Sequence, residues 1–396
     1  MTTFSPLAHR VGIVGVAHTS FGKLPTETVA SLVERVTVEA LTDAGVEPRE
    51  VDEVFVAQFN SGLTPFAFPS SLPIGGAEGL WGRPMTRVEN ACASGSAAVH
   101  QGIRAILSGL ADTVLVVGVE KMTHASGAEV GRALLGADQQ HAGTDFPAGF
   151  AGLFGQVALA YIERCGAADW LGDVLAAIAA KNHRNGCSNP WAQLRKDFGI
   201  EFCATVSDAN PIVAPPLRRT DCSPVSDGAA ALVLRRDPFD PLAVVAGIGH
   251  ANDHLDAARR DILEFAAGRF AVEQALGMAG ASLDDLDFAE VHDCFTIAEL
   301  LVYEMLGLTA RGEGRRAIEE GWVHRDGRLP INVSGGLKAK GHPVGATGVS
   351  QHVVAALQLA GQARDMQLDG PRLGLVHNMG GLAVANYATV LRDSLC

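Results

Sequence analysis

One cysteine of this sequence lies where a thiol could do chemistry. Asn90-Ala91-Cys92-Ala93-Ser94-Gly95-Ser96-Ala97-Ala98 places Cys92 among small residues, where an apolar, strand-like stretch gives way to a predicted helix. The thiolate is the reactive form of cysteine, and unpaired N–H groups and the dipole at a helix N-terminus favour it. Small neighbours let backbone and substrate approach closely. The same residues also suit a tightly packed helix start with no chemistry, so the motif alone leaves both readings open.

Three further segments tip the balance. They are Val291-His292-Asp293-Cys294-Phe295, Gly341-His342-Pro343-Val344-Gly345-Ala346-Thr347-Gly348 and His377-Asn378-Met379-Gly380-Gly381. Together with Cys92 they supply what acyl transfer through a thioester needs: a nucleophile, a base, a second acid/base and oxyanion donors. His342 lies in a glycine- and proline-flanked turn and is expected to take the Cys92 proton, then donate toward a thioester oxygen. His292 and Cys294 alternate with Asp293 at a strand end, so they share one side and can enter one pocket.

These motifs, in this order, resemble the thiolase superfamily, and specifically the sterol-carrier-protein-2-type thiolases that carry a His-Asp-Cys-Phe segment. The resemblance runs from Val11 to about Leu391. It implies an α/β chain with a five-layer αβαβα fold from two similar halves, two buried central helices and an inserted loop domain that covers the coenzyme A site. It also implies that Cys294 removes a proton from the α-carbon of the second acyl group while His292 holds the enolate oxygen. Many thiolases carry their second cysteine, in a Cys-x-Gly segment, where this chain has His377. That leaves His377 to orient Cys92 or to bond a backbone group, with Asn378 beside it also of undetermined role. Gly380 is the glycine expected to turn an N–H toward an oxyanion, beside that of Cys92.

The expected activity is that of an acetyl-CoA C-acetyltransferase or acyl-CoA C-acyltransferase, with acyl-CoA and coenzyme A as substrates and no metal or redox cofactor. The alternatives are a ketosynthase, a thiolase-like aldolase subunit with an OB-fold partner protein, and a non-catalytic lipid-carrier or scaffold subunit. A ketosynthase lacks the His-Asp-Cys-Phe segment, and the aldolases usually depart at the catalytic cysteines, which are present here.

Composition narrows the field from another side. A net charge of −13 argues against general binding to nucleic acid or anionic membranes, so phosphates must meet a local basic patch. The candidates in the insertion are Lys181, His183, Arg184, Arg218 and Arg219. No apolar run reaches membrane-spanning length, and Met1–Arg10 carries no signal-peptide pattern. Seven cysteines at irregular spacing read as reduced thiols, which points to the cytoplasm. His250 and His254 are four apart, but the Asn252-Asp253 between them reads as loop, so no metal site is assigned. Gly12-Ile13-Val14-Gly15 lacks the third glycine and the ribose-binding acid of a dinucleotide loop.

The elements that must position these groups come from a diverged repeat. Ala40–Gly45 followed by Val51-Asp52 matches Ala275–Gly280 followed by Leu286-Asp287. Each block reads as a helix ending at glycine, then a strand, then a small-residue helix start. The halves are expected over 1–121 and 241–396, with the insertion at 122–221 and a return to the first half at 222–240 through an edge-like strand. The run Val114–Val117 is apolar throughout, as in a strand buried on both faces, and is expected near a homodimer or tetramer interface. Phe66, Phe68, Phe150 and Phe154 are the candidates for setting pocket width.

Overall fold

A computed structural model describes residues 10–60 and 62–394; the leader reading of the first residues up to His9, and Cys396, lie outside them. The strands are β1 (Val11–His18), β2 (Glu53–Ala57), β3 (Met85–Val88), β4 (Thr113–Glu120), a short hairpin of β5 (Ile212–Ala214) and β6 (Leu217–Arg218), β7 (Gly228–Arg236), β8 (Ala243–Asn252), β9 (Phe288–Glu290), β10 (Leu373–Gly380) and β11 (Ala385–Arg392). Nine of them form one sheet in the order β3-β2-β4-β7-β1-β8-β11-β10-β9.

The repeat explains that order. β3-β2-β4-β7-β1 is answered by β9-β10-β11-β8, with Ile331 bridging Ala289 in the place of β3. Within the sheet, Gly12 opposite Val244 and Ile13 opposite Ala243 join the two halves. The matched aspartates do matched work. Asp52 accepts the N–H groups of Asp112 and Thr113 at the start of β4, and Asp287 those of Arg372 and Leu373 at the start of β10. The matched helices, Val29–Ala44 and Ala266–Ala279, each end at a left-handed glycine, Gly45 or Gly280.

Alternation within the strands generates the layers. Leu115 and Val117 of β4 pack with Leu32, Val36 and Leu41 of the outer Val29–Ala44 helix. Val114 and Val116 point the other way, onto Ile103, Ile106, Val349 and Val353 of two central helices, Ser94–Leu107 and Val344–Leu359. Beyond the second half-sheet, Ala271 and Ala275 of the Ala266–Ala279 helix join Leu375 and Val390 in a third core. The result is the αβαβα stack. β4 is buried on both faces, as its run of valines predicts, but it sits between β2 and β7 and offers no edge to a partner. β7 is likewise interior rather than an edge strand; the free edge of the first half is β3.

The small residues beside the nucleophile have a structural job after all. A Cβ on Gly95 would sit 2.7 Å from the Gly348 nitrogen, and one on Gly348 would sit 2.2 Å from the Ser96 nitrogen. The central helices therefore touch backbone to backbone at their N-terminal ends, which brings Cys92 and His342 together. Gly348→Ala should cost about 3 kcal/mol, the upper end for overpacking, because backbone rather than a side chain must yield. Gly172→Ala, whose Cβ meets nothing, should be neutral or gain up to about 1 kcal/mol. Urea unfolding midpoints of the two variants check the contrast.

Between β4 and β7 the chain leaves the repeat. It forms helices Gly127–Leu135, Gly149–Cys165 and Leu171–Cys187 and the β5/β6 hairpin. The first of these helices, the start of the second and Val213 of β5 line the cavity at Cys92.

Candidate active site

Cys92 stands one residue before the turn into the Ser94–Leu107 helix. Ser94 fixes that turn: its hydroxyl accepts the Asn90 N–H at 2.8 Å and donates to the Ala91 carbonyl at 2.6 Å. Ala91 is held at φ 49, a left-handed conformation that costs a non-glycine residue about 1–2 kcal/mol. The strained turn presents the half-buried Cys92 to a cavity that also contains Cys294, His342 and Gly381. The sulfur of Cys92, one ring nitrogen of His292 and one of His342 lie within 4.8 Å of one another.

The two histidines hold opposite tautomers. Thr347 Oγ1 donates to the Pro343 carbonyl at 2.9 Å, so toward His342 Nδ1, 2.7 Å away, it can only accept. His342 therefore carries its proton on Nδ1 and has a lone pair on Nε2, the form of a base. At His292 the logic reverses. The Asn378 amide nitrogen donates to the Cys92 carbonyl at 3.2 Å, which fixes the amide's orientation, and also to His292 Nδ1 at 2.8 Å. His292 then keeps its proton on Nε2 and is a donor for a substrate oxygen. A Cys–His–His cluster also reads as a zinc donor set. With Nδ1 engaged by Asn378 and Nε2 protonated, however, His292 has no lone pair to give a metal.

Burial sets the resting charges. It pushes the Cys92 thiol up to about 12, with nearby Glu120 adding to the rise, while the N–H groups of Gly381 and Cys92 itself point at the sulfur and oppose it. Cys294 is pushed well above the usual thiol range by burial and by Cys92. Burial, aided by Lys340, lowers His342 to about 3, and burial lowers His292 well below the ordinary value. At rest the site holds a thiol and neutral imidazoles, not an ion pair.

Other placements correct the sequence reading. The amide at the Cys92 sulfur belongs to Gly381; Gly380 closes the β10–β11 pairing opposite Ala385, its Cα packed on the Asn90 carbonyl. His377, on the other face of β10 from Asn378, bonds the Asn386 side chain at 3.4 Å and not Cys92. Asp293 turns away from the cavity and accepts the Leu337 and Lys338 N–H groups and the Asn182 amide. Lys181 is not a phosphate ligand: it is buried against Glu299 and donates to the Ile331 carbonyl at 2.8 Å, bracing this same loop. Arg218 is buried on Asp221 at 3.0 Å and on the Ala204 carbonyl at 2.9 Å. His183 is buried, and burial lowers it to about 3, so it brings no charge; Arg184 is exposed and pairs with Asp197 at 3.3 Å. Arg219 alone of that set is an exposed cation on a cavity, a second one of about 630 Å³ that also presents Lys196 and shares Cys222–Val225 with the first. Of the four phenylalanines, only Phe150 lines the catalytic cavity; Phe154 stacks behind it on Phe295, and Phe66 and Phe68 are exposed.

Sequence reasoning missed Glu120. It accepts the N–H groups of Phe59, Asn60 and Gly345, tying the end of β2 to the His342 turn, and burial lifts its carboxyl to about 7. A charged residue closing the apolar run of β4 was the available signal.

Seven histidines are held neutral by burial: His18, His100, His183, His292, His342, His352 and His377. Each has a lowered folded pKa, so its stability is intact above about 6.5 and is lost as pH falls toward the folded value. One pH unit below 6.5, each costs about 1.4 kcal/mol. Glu120, Glu290 and Asp293, raised by burial, return part of this on acidification. The chain should therefore unfold cooperatively near pH 5, read by circular dichroism, and a fold that survives unchanged to pH 3.5 would contradict the buried neutral histidines.

A family model described as the thiolase N-terminal domain matches residues 11–201, and one described as thiolase C-terminal domain-like matches residues 249–393. The acetyl-CoA acetyltransferase of Methanothermobacter thermautotrophicus is 37% identical, over 94% of this chain and 96% of its own. Sterol carrier protein 2 of Bos taurus is 30% identical, over 95% of this chain and 71% of its own. Among solved structures, an Ltp2-ChsH2(DUF35) aldolase aligns with TM-score 0.81 at 22% identity, over 99% and 100% of the two chains. A human mitochondrial 3-ketoacyl-CoA thiolase in complex with CoA aligns with TM-score 0.71 at 19%, over the same shares.

Proposed function

Because the chain belongs to the thiolase family and is an acyltransferase working between acyl-CoA and coenzyme A, we propose that its residues divide the reaction as follows. In the thiolytic direction the Cys92 sulfur attacks the 3-keto carbonyl of a 3-ketoacyl-CoA, and its proton moves to His342 Nε2 as the S–C bond forms. The C2–C3 bond breaks, its electron pair becomes the enolate of acetyl-CoA, and Cys294 protonates that carbon. Coenzyme A then takes the acyl group from Cys92: its thiol proton passes to the Cys294 thiolate, and His342 returns its proton to the departing Cys92 sulfur, restoring both thiols. Synthesis is the reverse, a Claisen condensation in which the Cys294 thiolate removes the α-proton and the His292 Nε2–H holds the enolate oxygen. The Gly381 and Cys92 amides receive the other oxyanion. The convergence of one base-form and one donor-form histidine on one cysteine carries this reading.

Arg219 and Lys196 are the cations proposed for the coenzyme A phosphates, with the pantetheine arm passing Cys222–Val225 to reach Cys92. No step routes through a metal or redox group. A homodimer is proposed through the free edge of β3, whose unpaired N–H and C=O groups invite a second strand. A reducing compartment, the cytoplasm, suits two catalytic thiols that must stay reduced. Run in the thiolytic direction, this reaction would serve fatty-acid β-oxidation. An OB-fold partner protein is proposed as well, prompted by the DUF35 component of the aldolase named above. Intact mass after incubation with acetyl-CoA tests the core of the proposal. One acetyl group on Cys92 is expected; an unmodified chain rejects it and leaves a carrier or scaffold subunit.

A further inference from the structure

The catalytic cavity measures about 230 Å³ and is mostly apolar. An apolar cavity of about 150 Å³ already takes a benzene ring, whereas an acetyl group has two carbons. The space is therefore larger than the smallest acyl group needs.

One wall of it is bare. Gly127, Val130, Gly131 and Leu134 all face the cavity, and their spacing makes them a single face of the Gly127–Leu135 helix. Val130 and Leu134 join Met122, Val344 and Cys92 in one apolar cluster. A Cβ built on Gly127 or Gly131 meets no atom within 4 Å. Neither glycine has a positive φ, so the backbone does not demand it. Glycine inside a helix is less favourable than alanine. Packing does not require these two glycines, and what they leave is room beside the nucleophile.

A separate stretch of the lining, Cys222–Val225, is shared with the cavity that holds Arg219 and Lys196. If coenzyme A arrives along that wall, as proposed above, the Gly127–Leu134 face is apolar lining left for an acyl chain on Cys92. We propose that it lies along the Gly127/Gly131 face, and that these two glycines set the upper limit on acyl size, admitting uncharged acyl groups longer than acetyl. This inference rests on the thiolase reading.

The test compares kcat/KM for thiolysis of acetoacetyl-CoA and 3-ketooctanoyl-CoA in the wild type, Gly131→Leu and Gly127→Val. Each buried methylene is worth about four-fold, so the wild type should favour the longer ester by at least ten-fold. Both variants should lower that preference by ten-fold or more. A ratio within one preparation does not depend on how much of it folded, so a partly unfolded variant still reports. A wild type that treats the two esters equally, or a preference unchanged in both variants, overturns the proposal. Failure of any thioester to acylate Cys92 in wild-type protein overturns the thiolase reading itself, and this inference with it.

Discussion

Cys92→Ala should abolish thiolysis and condensation alike, a loss of roughly 10⁴-fold or more, the scale seen when a nucleophile is removed from a covalent mechanism. Cys294 cannot stand in. Its thiol is more deeply buried than that of Cys92, and the amides at its sulfur are those of Phe295 and Cys294 itself. The acyl-enzyme seen by mass should vanish with the rate. The pH dependence gives a second measurement. Because burial holds the Cys92 thiol near 12, its thiolate fraction climbs across the whole neutral and mildly alkaline range. Alkylation of Cys92 by iodoacetamide should therefore rise about ten-fold per pH unit from 7 to 10, without the plateau of an ordinary thiol of pKa about 8.5. A plateau near 7 would mean a resting thiolate–imidazolium pair, which the lowered His342 argues against.

Much of this site could be read from the sequence, because its key side chains sit in motifs whose local geometry is dictated nearby. Cys92 is carried by its own helix turn, and His342 by a Gly-His-Pro turn whose Thr347 orients it from five residues away. His292 and Cys294 share a side because Asp293 between them is drawn to the opposite one. The repeat predicted both half-sheets and even the matched aspartates at their strand starts. What escaped was whatever depends on distant partners. Lys181 and Arg218 look like free cations in a glycine- and asparagine-rich insertion, yet Glu299 lies 118 residues from Lys181, and nothing local announces that pair. Lys181 and Arg218 are spent on their buried partners, whereas Arg219 and Lys196 are exposed and face a cavity. The choice between Gly380 and Gly381 turns on which backbone N–H leaves the β10–β11 ladder, and side-chain types do not encode that.

Cys294→Ala should separate the two halves of the reaction. Acylation of Cys92 by acetyl-CoA needs a nucleophile, a base and an oxyanion site, and none of these is Cys294, so it should fall no more than a few-fold. Carbon–carbon bond formation needs a proton taken from an α-carbon, and its reversal needs one returned. Loss of a positioned acid/base typically costs 10²–10⁴-fold, and that loss should appear only in condensation and in thiolysis of a 3-ketoacyl-CoA. The raised thiol pKa fits the assignment. A group kept protonated at rest by burial and by the neighbouring Cys92 is ready to give its proton to an enolate carbon, and its thiolate is basic enough to take one back. Asn378→Asp attacks the partner function by another route. The new carboxylate would accept from His292 Nδ1 rather than donate to it, moving the ring proton off Nε2 and removing the enolate's donor. Its condensation rate should fall alongside that of Cys294→Ala, measured with the acyl-enzyme still forming in both. Equal loss of acylation in a folded Cys294→Ala protein would remove Cys294 from its proposed role and return the second proton transfer to His342.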